Sequence, residues 1–79
     1  MEIKILGPGC ARCKRLEELA REAAREAGVD AQFTKVTDMA AIMRFPILGT
    51  PGLVIDEVVK SSGQIPRKED IVAWIKAAG

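Results

Sequence analysis

The stretch Gly7 to Leu19, GPGCARCKRLEEL, decides the fold. It runs from a Gly-Pro-Gly turn signal straight into a helical pattern, and it holds both cysteines of the chain, Cys10 and Cys13. Before it, Glu2 to Leu6 (EIKIL) reads as a short apolar strand with Lys4 inside it. After it, Cys13, Leu16, Ala20, Ala23 and Ala27 fall on one helical face, with Leu19 beside them. The opposite face carries Arg15, Glu18, Arg21, Glu22, Arg25 and Glu26. Glu17 and Arg21 stand at i,i+4 in the favourable order. The helix should therefore run from Ala11 to Ala27, with Gly28 as its C-terminal cap.

Working outward, Val29 to Val36 is β-branched and aromatic enough to be a second strand. Thr37 or Asp38 can cap a helix over Met39 to Phe45, whose apolar positions are Met39, Ile42 and Met43, and which Pro46 ends. Met39 and Met43 read as core filler. Gly49-Thr50-Pro51-Gly52 is a break before a strand over Leu53 to Ile55. Val58 to Ser61 is the next strand. Asp56-Glu57 links the two as a hairpin, without the glycine that a type I′ turn favours. Ile71, Trp74, Ile75 and Ala78 give a last amphipathic helix, with Trp74 as a core anchor.

The order is β-α-β-α-β-β-α. A strand–helix–strand unit needs a parallel pair and a right-handed crossover, and a two-residue link needs an antiparallel hairpin. The expected fold is α/β: a mixed four-stranded sheet with helices on both faces. The 79 residues fit one domain, spanning 1–79.

Composition narrows the function. Twelve basic and eleven acidic residues leave a net charge of +1, so no basic field points to nucleic acid. No apolar run approaches the ~20 residues of a membrane helix. The apolar part of MEIKILGPG is too short for a secretion signal, so the expected address is the cytoplasm. Thiols are kept reduced there, and a disulfide in that compartment is more often catalytic or sensing than structural. A disulfide between residues three apart would also make a poor staple, because the stabilisation grows with the length of the loop closed. Histidine is absent, which removes Cys–His dyads and the usual Cys–His zinc sites.

Chemistry then divides the two cysteines. Cys10 falls at or just before the expected helix N-terminus, where unpaired N–H groups and the positive dipole end favour a thiolate. Arg12, Lys14 and Arg15 add positive charge nearby. Such surroundings hold a thiol below its usual range. Cys13 lies on the apolar face and should be buried and less ionised. Cys10 would attack a disulfide, and Cys13 would resolve the mixed disulfide. Thr50-Pro51, opening an apolar strand, is a candidate cis peptide that leaves the Thr50 backbone free to pair with an extended substrate.

With these elements in place, the chain resembles the small thioredoxin-like redox-active disulfide proteins of the thioredoxin superfamily. The matching stretches are KILGPGCARCKRLEE, KVTDMAAIMRFPILGTPGLVID and SSGQIPRKEDIVAWI, which together cover almost the whole chain. The resemblance implies a thioredoxin-like fold, a reversible dithiol at Cys10 and Cys13, and a cis-Pro loop at Thr50-Pro51. It also implies thiol–disulfide oxidoreductase activity without an organic cofactor. The partners would be a protein or small-molecule disulfide and an upstream dithiol reductase, engaged by a monomer with no part for nucleic acid or membrane. Gly9 stands where typical thioredoxins have a tryptophan, and their buried carboxylate that assists the resolving thiol has no match on EIKIL, where Lys4 is the polar candidate for the interior. Two other readings of the thiols stay open: a metal or metalloid carrier, and a partner-binding domain without turnover. Heavy-metal carriers of the ferredoxin-like class also open with strand, C-x-x-C and helix. They follow that helix with a hairpin, however, where this chain has a second helix.

Overall fold

The computed structural model describes residues 1–9 and 11–78. Strand β1 (Glu2–Leu6) is followed by α1 (Ala11–Ala27), β2 (Gln32–Val36), α2 (Met39–Ile42), β3 (Gly52–Ile55), β4 (Val58–Ser62) and α3 (Lys68–Ala78). The sheet order is β2-β1-β3-β4. β1 is parallel to β2 and antiparallel to β3, and β3 is antiparallel to β4. This is the expected mixed sheet, with the motif-bearing helix leaving the end of a central strand.

Alternation along β1 and β3 sorts the core onto two faces. Ile3, Ile5, Leu53 and Ile55 pack against Leu16, Ala20, Ala23 and Ala24 of α1 and Ile71 and Ile75 of α3. On the other face, Leu6 and Val54 pack against Ile42 of α2. The alanines of α1 let the helix lie close to its neighbours. Ala24 joins the buried face, whereas Ala27 is only partly covered. The helix ends in a Schellman cap: Gly28 takes φ +70°, its N–H donates to Arg25 O at 3.1 Å, and Val29 N–H donates to Ala24 O at 3.0 Å.

Several expectations are corrected. β2 starts at Gln32 rather than Val29, because Val29 and the residues after it complete the cap and the crossing to the sheet. α2 stops at Ile42 rather than Phe45. Arg44 and Phe45 donate to the carbonyls three residues back, and the residue before Pro46 is disfavoured in helical geometry. Of the two candidate caps, the Asp38 side chain accepts from Ala41 N–H at 3.2 Å. On one turn of helix only Ile42 faces the sheet, so Met39 and Met43 are exposed rather than core filler. Ala78 is also exposed, while Trp74 is half-buried against the core.

The hairpin is corrected too. Asp56 and Glu57 take φ +47° and +70°, the two left-handed residues of a type I′ turn, without glycine. A two-residue link between right-twisted strands favours a primed turn, and side chains anchor this one. Glu2 N–H donates to Asp56 Oδ1 and Asp56 N–H donates to Glu2 O, both at 2.8 Å. Lys4 Nζ donates to Glu57 Oε1 at 2.6 Å.

Candidate functional site

Cys10 lies outside the described residues, so its expected place at the helix N-terminus is an argument from sequence. Cys13 is described. It sits in the first turn of α1 on the face turned to the sheet and is 5% exposed. Its burial follows from the helix face shared with Leu16 and Ala20.

The Cys13 sulfur lies beside Gly7, on whose other flank stands Pro51. β1 ends at Leu6, and Gly7 follows, buried, with its N–H bonded to Val36 O at 2.9 Å. A β-carbon on Gly7 would overlap Cys13 Sγ outright and would stand 3.9 Å from Pro51 Cα. Pro51 is fully buried at the head of β3, and the Thr50–Pro51 peptide bond is cis. Gly63 N–H donates to Pro51 O at 2.9 Å, tying this loop to the chain after β4. The structure thus brings Cys13 and Pro51 together across Gly7, with Thr50 half-buried beside them.

Beside the sulfur is a small cavity of about 100 Å³, bordered by Cys13, Gly7, Lys14, Glu17, Lys35 and Thr37, among others. Its charged wall is an ion-pair chain: Lys35 Nζ lies 3.3 Å from Glu17 Oε1, and Arg21 Nη2 lies 2.9 Å from Glu17 Oε2. Burial pushes the Glu17 carboxyl up, but hydrogen bonds from Arg21 and Lys35 outweigh it and hold the group below its usual range. Of the three cations expected near the thiols, Lys14 borders this cavity. Arg12 Nη2 instead donates to Gly63 O at 3.1 Å, and Arg15 reaches Glu18 at 3.7 Å. Lys4 points to the opposite face, over the Phe45 ring and toward the hairpin carboxylates, so it is the snorkelling strand lysine its setting suggests. Its pKa is raised chiefly by the hydrogen bond to Glu57.

Sequence reasoning missed Gly7, Glu17 and Lys35. For Glu17 a signal was present, since a residue four after Cys13 shares its helix face. A shallow groove of about 250 Å³ runs from Thr50 past Leu48 and Phe45 to the exposed Met39 and Met43. Among the described residues, no group of three or more His, Cys, Asp or Glu side chains could hold a metal ion. No helix among them is long and apolar enough to cross a membrane.

A β1-α1-β2 unit, a β3-β4 hairpin with a closing helix, and a buried cysteine of the first helix beside Gly7, which Pro51 at the head of β3 flanks, define a redox domain of the thioredoxin-like class. The chain belongs to the thioredoxin family: the family model described as a thioredoxin domain matches residues 1–76. It is similar to a thioredoxin of Methanothermobacter thermautotrophicus, 44% identical over 71 residues, covering 90% of this chain and 92% of that one. It is also similar to a thioredoxin of Methanocaldococcus jannaschii, 37% identical over 75 residues, covering 95% of this chain and 86% of that one. Its activity is accordingly thiol–disulfide exchange.

Proposed function

We propose that Cys10 and Cys13 are the reacting dithiol, with Cys10 as nucleophile and Cys13 as resolving thiol. The Cys10 thiolate attacks one sulfur of a substrate disulfide, forms a mixed disulfide and expels the first substrate thiolate. Cys13 then loses its proton and attacks Cys10 Sγ. The second substrate thiolate leaves, and a Cys10–Cys13 disulfide remains. The substrate gains two electrons and the protein loses two; an upstream dithiol reductase restores the pair. The substrate is a protein or small-molecule disulfide, met by a monomeric single domain in the reducing cytoplasm.

The observation that carries this reading is the placement of Cys13, buried on the sheet side of α1 with its sulfur in the space beside Gly7, which Pro51 flanks. A sheltered thiol reacts slowly with substrates in solution and is kept for an intramolecular partner. Thr50 and Pro51 form the substrate side of the site. Thr50 is partly exposed where the apolar groove meets the buried Pro51, so its backbone is offered to an extended chain.

Titration against glutathione or dithiothreitol is the test. The pair should behave as one two-electron couple at about −200 to −300 mV, the range spanned by the glutaredoxins and thioredoxin. Cys10 should be alkylated faster than Cys13 near neutral pH. Absence of an intramolecular disulfide at every poise, or equal alkylation rates, would overturn the assignment.

A further inference from the structure

Gly7 is not part of the motif, yet its missing side chain is occupied. The volume where its β-carbon would stand is filled by Cys13 Sγ, with Cys13 Cβ at 3.4 Å and Pro51 Cα at 3.9 Å closing the same space. Gly7 cannot retreat to make room. Leu6 before it is paired with Val36 on one side and Gly52 on the other, and its own N–H is bonded to Val36 O. Pro51 cannot retreat either, being fully buried and held through its carbonyl by Gly63. The sulfur is the movable member of the three. A helical residue has essentially two accessible χ1 wells, so filling the seat removes one of them.

We propose that Gly7 is the positioning residue of the resolving step: the space left by its absent side chain seats Cys13 Sγ for attack on Cys10. This rests on the dithiol reading above. It predicts that a β-carbon at position 7 impairs the second exchange, in which Cys13 Sγ is the attacking atom, and leaves the first alone.

Ellman's reagent, an aromatic disulfide, reads both steps by stopped-flow absorbance. Cys10 attacks it and releases one thionitrobenzoate. Cys13 then attacks Cys10 Sγ in the mixed disulfide, releases the second thionitrobenzoate and forms the Cys10–Cys13 bond. In Gly7→Ala the first release should stay within about twofold of wild type, while the second slows by about tenfold or more, the scale expected for a misplaced reacting atom. A second release at the wild-type rate overturns the proposal. A wild-type protein that never releases the second equivalent overturns the dithiol reading, and this inference with it. Should Gly7→Ala fail to fold, Gly7→Ala with Cys13→Ala decides. Folding restored to the level of Cys13→Ala alone supports the sulfur as the obstructed atom, and a double variant that stays unfolded overturns it.

Discussion

Glu17 shows how one side chain can be read from sequence only halfway. Its pairing with Arg21 follows from helical spacing, and the two are 2.9 Å apart. Its second partner, Lys35, comes from β2 and reaches it only because β2 lies parallel to β1 beside α1. Burial favours the neutral acid, but the hydrogen bonds of Arg21 and Lys35 favour the anion more, so the folded pKa lies below the usual value of 4.5. A carboxyl depressed by folding adds stability that is fully present above its unfolded pKa and is lost as pH falls through the folded one. We expect urea midpoints of wild type and Glu17→Gln to differ most above pH 4.5 and to converge in acid below it. A gap that stays constant across that range would show that the carboxylate's charge is not what matters. Gly7 stands at the other extreme. Nothing in GPGCARC distinguishes it from Gly9, because the demand on it comes from a sulfur and a proline that only tertiary structure delivers.

Elements were legible where their length let a pattern repeat. α1 has seventeen residues, enough for the 3.6-residue period to fix its ends as read from sequence and most of its buried face, with Ala24 rather than Ala27 completing it. α2 has four, so no period exists to separate Ile42 from Met39 and Met43. The capping of Asp38 and the stop before Pro46 outweigh the apolar pattern there. The β3–β4 hairpin is the converse case. Its residues argue against a type I′ turn, yet Asp56 and Glu57 both take the left-handed backbone of one, a primed turn that suits the twist of the strands. Two consequences can be measured by urea denaturation. Glu57→Gly relieves a left-handed backbone at φ +70° and gives up only a solvent-exposed contact to Lys4, so it should stabilise by about 0.5–1 kcal/mol. Asp56→Ala loses the side-chain bond to Glu2 N–H and puts a poorer residue at φ +47°, so it should destabilise by about 1–2 kcal/mol. If Glu57→Gly were destabilising, the Lys4 contact would outweigh the backbone term.

At the scale of the whole molecule, the sheet carries unequal loads. The face under α1 and α3 buries a continuous cluster from Ile3 and Ile5 through Leu16, Ala20 and Ala23 to Ile71 and Ile75. Among the described residues, the apolar cluster on the face under α2 fully buries only Leu6, Ile42 and Val54, with Phe45, Ile47 and Val36 partly covered around them. Local opening costs least where few apolar contacts hold an element. α2 and the chain on to Thr50 should therefore open far more readily than β1, β3 or α1, although they border the proposed substrate side of the site. Native-state hydrogen exchange would show this as weak protection at Ile42, Met43 and Phe45 beside near-global protection at Ile5 and Leu16. Equal protection across the two faces would mean that α2 is held by the sheet as firmly as α1. The expected difference also separates the two halves of the chemistry. The Cys13 seat is framed by Gly7, directly after β1, and Pro51, directly before β3, the strands expected to open last, so the resolving geometry should stay fixed, while the groove proposed to receive a substrate chain is walled by the segment expected to adjust to it.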